Sequence, residues 1–402
     1  MHLWAGQTAA QVGFQVGTLA TSAIAITFLH ASETQIGVLS ALQTVAFLLV
    51  GLPAGAWVDG WCKRQVMIAA DVARVGALVS IPVAYSLATL TLTHLMIVSA
   101  LLGLCTVFFD VAYQSYVPII ASKRSIGAAN GRLEASYQVG HAGGPGLGGW
   151  LLGIVAAPLV YLLTALTYAL STWAIWRIRA TEPTPARTGA PLLAQIHEGL
   201  SFVRGQHLLF PLFSCIAAAA FAGAGIQVLL PILVLRTLGM NATQLGVLLS
   251  AGALGGILGA LTRSAWITHL GIGRTIVVTN ILGVAILALQ PVAIHTPTWA
   301  TYVIAASGII SSYFLTIYNV TQMSLRQEIC PPHMLGRMNA IFRFAVWGVM
   351  PLGSLASGIV AARVGIEAAM YAFIAVAIGA GIAMAFTPAA RIPGASADSA
   401  IP

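Results

Sequence analysis

Only 7% of this 402-residue chain is charged, so acids and bases that fall inside apolar stretches are the groups able to do chemistry. Asp71 and Arg74 share one such stretch, Asp110 lies in a second and Glu134 in a third. At 1.5 Å of rise per residue, Asp110 sits roughly 12 to 15 Å from the nearer end of its segment, and Arg74 and Glu134 about two turns into theirs. A carboxylate so placed can hold a proton in one state and a guanidinium in another. It can equally belong to a permanent ion-pair cluster that staples helix ends, because an unpaired charge in hydrocarbon costs several kcal/mol. Both readings stand for Asp110; Asp71 and Glu134, nearer the ends, favour the staple. Other chemistries lack their parts. Cys62, Cys105, Cys215 and Cys330 are scattered, the nine histidines do not cluster, and no nucleophile and base stand at working spacing, so no metal, no cofactor and no enzymatic activity are expected.

The elements that hold these charges are legible from composition. With 58% hydrophobic residues and a mean hydropathy of +0.91, the chain is unlike a water-soluble fold. A bilayer core about 30 Å thick needs roughly 20 apolar residues per helical span. Uncharged runs at 3–32, 34–58, 205–235 and 237–262 hold one span each, and longer runs at 75–109, 135–176 and 275–325 carry loop signals in their middles. Spans starting near Val66 and ending near Ile120, and those at 344–362 and 368–390, complete twelve. The first apolar segment lacks a basic n-region and a cleavage site, and is expected to be a retained helix.

The chain also repeats itself: TQIGVL from Thr34 returns as TQLGVL from Thr243, an offset of 209 residues that also aligns Asn130 with Asn339 and Gly149 with Gly358. Each copy therefore has six spans and crosses the membrane in the same sense. At the same offset Asp71 and Asp110 meet Asn280 and Asn319, and Glu134 meets Arg343. One copy carries acid where the other does not. With the N-terminus inside, Lys63, Arg64, Lys123, Arg124, Arg177, Arg204, Arg263, Arg274, Arg326 and Arg337 all fall in or beside inner loops, and only Arg236 and Arg363 fall outside. That bias sets orientation, with both termini cytoplasmic, and accounts for the net charge of +8 without a nucleic-acid partner. The organisation reads as a six-helix bundle over 1–178, a linker at 179–206 with an amphipathic helix, a second bundle over 207–388 and a tail at 389–402.

Two motifs stand out. GAWVDGWCKR joins the second and third spans, and its Gly55, Asp59, Lys63 and Arg64, with Asp71 beyond them, form a candidate inner gate. GHAGGPGLGG in the fifth span places Gly140, Gly144 and Gly148 four apart on one face, beside Pro145 and Gly149. Small residues at that spacing let a second helix approach closely, and Pro145 permits a bend. The small-residue stretch GALGGILGA of the eighth span, Gly252 to Ala260, is the expected partner.

These stretches resemble the major facilitator superfamily. The first is similar to its signature loop Gly-x-x-x-Asp-Arg-x-x-Arg-Arg, departing at Gly60, and that resemblance implies a latch between the inner ends of two halves. The second matches the pattern Gly-x-x-x-Gly-Pro-x-x-Gly-Gly, which marks exporters working as antiporters. FFDVAYQSYVP, ANGRLEAS, YNVTQMSLRQ and LGRMNAIFRF resemble the branch that holds the enterobactin exporter and the macrolide efflux proteins.

The resemblance implies a twelve-helix, all-α transporter in the bacterial inner membrane, a monomer exporting a hydrophobic or amphipathic small molecule against protons. A facilitator or importer is the first rival, and a lipid flippase the second. Helices 1, 4, 7 and 10 line the central path in such proteins, which makes Gln15, Tyr113, Gln227, Tyr313, Tyr318 and Asn319 cavity candidates, with Arg343 either an anion contact or a residue of the inner gate. The Asn241-Ala-Thr243 sequon reads as a helix cap, because the same slot in the first copy precedes TQIG as one.

Overall fold

The computed structural model describes residues 2–120, 126–178, 182, 205, 209–330 and 335–391. The expected amphipathic linker helix lies outside them. A chain that must satisfy its backbone without water has helices and closed barrels to choose from, and the described residues form helices and no strand. The first copy supplies α1 (His2–Ala23), α2 (Glu33–Asp59), α3 (Lys63–Ser86), α4 (Leu92–Ile120), α5 (Ile126–Ile154) and α6 (Ala157–Trp176). The second supplies α7 (Leu209–Ile232), α8 (Ala242–Leu270), α9 (Ile272–Ala285, extended to Val292), α10 (Ala300–Ile329), α11 (Leu335–Val364) and α12 (Ile366–Ala385).

Eleven of these twelve are long and apolar enough to cross a membrane. The exception is α5, whose first half is polar and whose second half is largely glycine. The twelve-helix expectation holds, although α5 lacks the apolar signal of its neighbours.

The repeat extends to details of backbone geometry. α1 ends in a π-helical turn, Ile24–Phe28, and α7 ends in another, Leu233–Thr237, at the same offset of 209 residues. Ser32 and Gln35 form a reciprocal capping box at the start of α2. Asn241 and Gln244 do the same for α8, with both backbone-to-side-chain bonds at 2.9 Å. Each box satisfies two of the amides that a helix start leaves open, so the sequon is a cap as expected.

The chain divides into two compact units, Met1–Gly189 with Val234–Ser250, and Ala190–Leu233 with Ala251–Pro402. In the first, α1 packs on α5 and α6, α2 on α4, and α3 on α4 and α6. The second repeats this with α7 on α11 and α12, and α9 on α10 and α12. Large apolar side chains such as Leu49, Ile97, Leu166 and Leu261 stand exposed, as befits helices whose solvent is lipid. Close approach rests on glycine: a Cβ on Gly103 would meet the Gln43 carbonyl of α2 at 2.5 Å, and one on Gly353 would run into the Phe221 carbonyl of α7.

This packing separates two kinds of glycine. Gly353→Ala should destabilise the protein by about 1–3 kcal/mol through overpacking. Gly308→Ala, where a Cβ meets nothing within 4 Å, should leave the melting temperature of the purified protein unchanged.

Candidate transport site

Three helices of the first unit converge on one cation. Arg74 and Asp71 are three residues apart on α3 and so share a face; Arg74 Nη1 donates to Asp71 Oδ1 at 2.8 Å, and the two side chains are 5% and 0% exposed. The guanidinium lies between two rings, 4.9 Å from the centroid of Phe109 on α4 and 5.0 Å from that of Tyr168 on α6. Both contacts favour the charged form, and desolvation strengthens them. Asp110, next to Phe109 and partly buried, is near enough for its charge to act on Arg74. One oxygen of the pair remains unused: Asp71 Oδ2 has no hydrogen-bond partner, nor do Arg74 Nε and the neighbouring Ser171 hydroxyl.

This refines the sequence reading in two respects. Arg74 is paired with Asp71 on its own helix, because helical geometry brings i and i+3 together without any packing. Asp71 is also fully buried within the first unit, since α4 and α6 cover that face of α3, and its depth along the helix remains that read from the sequence. The Glu134 side chain lies outside the described residues. Phe109 and Tyr168 were not singled out; no spacing within one helix reports that rings on two others close over a cation.

The basic loop works within the first unit. Arg64 Nε donates to the Ile175 carbonyl at 3.2 Å and Nη2 to the Trp176 carbonyl at 2.5 Å. These are the open carbonyls at the C-terminus of α6, where a cation is also favoured by the helix dipole. Glu182, just beyond α6, accepts from the Lys63 and Arg64 amides at 2.8 Å each and from the Cys62 thiol at 3.2 Å, completing the start of α3. Arg64 thus ties α3 to α6. A Cβ on Gly55 would meet nothing, and the Asp59 side chain lies outside the described residues.

The glycine face of α5 is turned differently from the expectation. Gly140, Gly144 and Gly148 face α1: a Cβ on each would meet Gln11 at 3.0 Å, Gln15 at 2.5 Å and Val16 at 3.2 Å. The start of α8 lies on the adjacent face. There a Cβ on Gly149 would be 2.8 Å from the Gly246 Cα, Gly246 abuts the Pro145 carbonyl, and Thr243 Oγ1 donates to the Gly149 carbonyl at 2.8 Å. Gly255 and Gly259 of the GALGGILGA stretch press instead against the α10 backbone at Ile309 and Tyr313. Two small-residue stripes on two helices do not have to meet; each met a different neighbour. Beside the α5–α8 contact, Arg236 Nη1 donates to Glu33 Oε1 at 2.7 Å, and its Nη2 to the Ala31 carbonyl. The available signal was Arg236 itself, a basic residue on the side where bases are rare.

The cavity candidates differ in their immediate surroundings. Gln15 is half-buried over Gly144, Gln227 and Asn319 are exposed, and Arg343 is half-buried. Tyr113 stacks on Phe109 at 6.0 Å, and its buried hydroxyl has no partner. The Tyr313 hydroxyl accepts from Thr262 and from Trp266 Nε1, both at 2.9 Å. Tyr318 belongs to the core of the second unit, among Leu212, Ile276 and Leu325, and so is a packing residue rather than a wall of a cavity.

Among the described residues, twelve helices stand in two copies of one packing scheme, the architecture of a transporter of the major facilitator type. The chain belongs to the transmembrane secretion effector family of that superfamily, which it matches over residues 1–401. It is 26% identical over 378 residues to the multidrug efflux pump Tap of Mycolicibacterium fortuitum, covering 90% of this chain and 89% of that one. It is 21% identical over 373 residues to macrolide efflux protein A of Streptococcus pyogenes, covering 91% and 90%. Among solved structures, a bacterial homologue of the iron transporter ferroportin in an inward-facing state superposes with a TM-score of 0.73 at 15% identity, over 95% of this chain and 97% of that one. A bacterial homologue of the human lysosomal transporter Spinster gives 0.68 at 15% identity, over 97% and 96%. At those identities the structures bear on the fold alone.

A buried pair makes its own energetic prediction. Arg74→Met or Asp71→Asn alone should cost about 3–5 kcal/mol, because each strands or unbalances a buried group, and the double variant should lose less than the sum. Thermal unfolding of the four proteins in one detergent measures the coupling; strictly additive losses would show that the pair is not energetically linked.

Proposed function

We propose that the chain is a secondary active exporter, working as a monomer in the bacterial inner membrane with both termini in the cytoplasm, that couples proton entry to extrusion of hydrophobic or amphipathic small molecules by alternating access. The observation that carries this reading is a shared cation. Two carboxylates, Asp71 and Asp110, act on Arg74. Asp71 holds Arg74 at 2.8 Å in full burial and serves as the standing partner, which leaves Asp110, on a different helix, as the carboxylate proposed to exchange the proton.

The proposed cycle follows from that sharing. With Asp110 protonated, Arg74 is left to Asp71. When Asp110 releases its proton, it competes for the guanidinium and draws α4 toward α3. Phe109 and Tyr113 move with that helix, one stacked against the other and Phe109 over Arg74, which passes the protonation state to aromatic and polar groups on the same face. Because Asn319 stands at the repeat-related position of Asp110, the scaffold accommodates an amide there.

Support for drug-like cargo comes from the two relatives, which span about nine-tenths of this chain, and support for export from the family. A uniporting facilitator or an uncoupled flippase needs no proton-exchanging carboxylate, so loss of coupling at Asp110 separates those readings, while the direction of accumulation separates export from import. Asp110→Asn should fold with an unaltered melting temperature, yet lose proton-driven export by at least about tenfold, the upper part of what one proton-transferring group contributes being larger still. The measurement is accumulation of a panel of fluorescent and macrolide-class compounds, with and without a protonophore, in cells lacking their own efflux pumps. Full protonophore-sensitive export by the variant would remove Asp110 from the coupling step.

A further inference from the structure

We propose that the groove between α3 and α6 is a seat for one anionic phospholipid, its acyl chain lying along the groove and its phosphate on Arg177. The groove has an open volume of about 330 Å³ and is walled by Val72 and Val75 of α3 and by Ala169, Thr172, Trp173 and Trp176 of α6. Its walls are almost wholly apolar, with Trp173 and Trp176 50% and 63% exposed. Indoles at this level of a membrane helix belong to the zone where acyl chains meet headgroups.

The chemistry of its mouth selects the headgroup. Arg177 is the residue after the last turn of α6, and its guanidinium lies 4.6 Å over the Trp173 ring that forms one wall. That stacking fixes the plane of the guanidinium, while among the described residues it spends none of its N–H donors on a hydrogen bond. A planar fork with free donors matches a phosphate bidentately. The Ile175 and Trp176 carbonyls that end α6 already accept from Arg64, so Arg64 and Arg177 both stand at that end. A zwitterionic lipid brings its own cation to such a mouth; an anionic lipid does not, and basic pockets between helices on the side where Lys and Arg gather suit the latter.

The seat also bears on the ion cluster. Val72 and Val75 each follow directly on Asp71 and Arg74 in α3, so the chain bound in the groove packs on the flank of the helix beside the pair. Filling the groove supports α3 against α6, and an empty groove leaves that side to loosely packed lipid. This inference rests on the groove and Arg177, and holds whether or not Asp110 carries protons.

Native mass spectrometry of the full-length protein, purified in detergent and supplied with phosphatidylglycerol or phosphatidylcholine of matched chains, tests it. The wild type should retain one phosphatidylglycerol in preference to phosphatidylcholine. Arg177→Gln should reduce that retention about fivefold, the effect of one basic residue at an anionic surface. Thr172→Phe, which fills the groove while keeping Arg177, should reduce retention of both lipids, and both variants should keep the wild-type elution profile. Millimolar inorganic phosphate should not displace the lipid. Equal retention of the two lipids by the wild type, unchanged retention by both variants, or displacement by free phosphate would each overturn the assignment.

Discussion

Arg74 brings a positive charge into a place from which lipid and protein have removed water, and the first unit is arranged around neutralising it. Asp71 answers the charge from the same helix, but one carboxylate uses only one edge of a guanidinium. The guanidinium carbon also lies over the rings of Phe109 and Tyr168, which come from α4 and α6. The cation thereby fixes three helices relative to one another, through forces that strengthen as water is excluded. It also fixes their order of importance: α3 carries the pair, and α4 and α6 are held to it. Asp110 stands one residue from Phe109, so any change in its charge acts on a helix already bound to the cluster through that ring.

α5 solves a different problem, that of packing against two neighbours at once. Glycine on one face lets α1 in as far as the Gln11 and Gln15 side chains, and glycine on the next lets the α8 backbone touch at Gly246. In a bilayer there is no hydrophobic gain from bringing two apolar helices together, so contact must come from close approach and hydrogen bonding. Thr243 supplies the second, donating to the Gly149 carbonyl. A helix with so little side chain to bury has little apolar surface of its own, which is why α5 alone among the twelve falls short of a membrane span by composition.

What could be read from the sequence was what repeats or alternates along the chain. The twelve helices, the duplication and the caps at Ser32 and Asn241 were all legible, because each is set by residues near one another in sequence. Burial of Asp71 was not, because it depends on which face of α3 meets α4 and α6. The direction of the Gly140–Gly144–Gly148 stripe failed for the same reason: periodicity identifies a face but not its neighbour. Arg64 shows the limit of a resemblance. The loop matches its pattern at Gly55, Asp59 and Arg64, and what the pattern could not report is that Arg64 donates to the carbonyls of α6.

The two copies share a skeleton down to the π-helical turns at Ile24–Phe28 and Leu233–Thr237 and the caps that follow, but not a charge pattern. The buried cation of the second copy is Arg326, which corresponds to Val117 in the first and not to Arg74. It rests on the Phe342 ring at 3.3 Å, in the last turn of α10, where the helix dipole favours a cation. An aromatic face and a helix end can hold a charge, but neither exchanges a proton. A carboxylate can do both. The acids Asp71 and Asp110 of the first copy face asparagines in the second, so the duplicated backbone provides two matching bundles that differ in the carboxylates they carry at these positions. The Arg74–Asp71 pair has no counterpart at the repeat-related positions Gly283 and Asn280, so the ring-covered ion pair that ties three helices of the first copy together is a feature of that copy's side chains and not of the shared backbone.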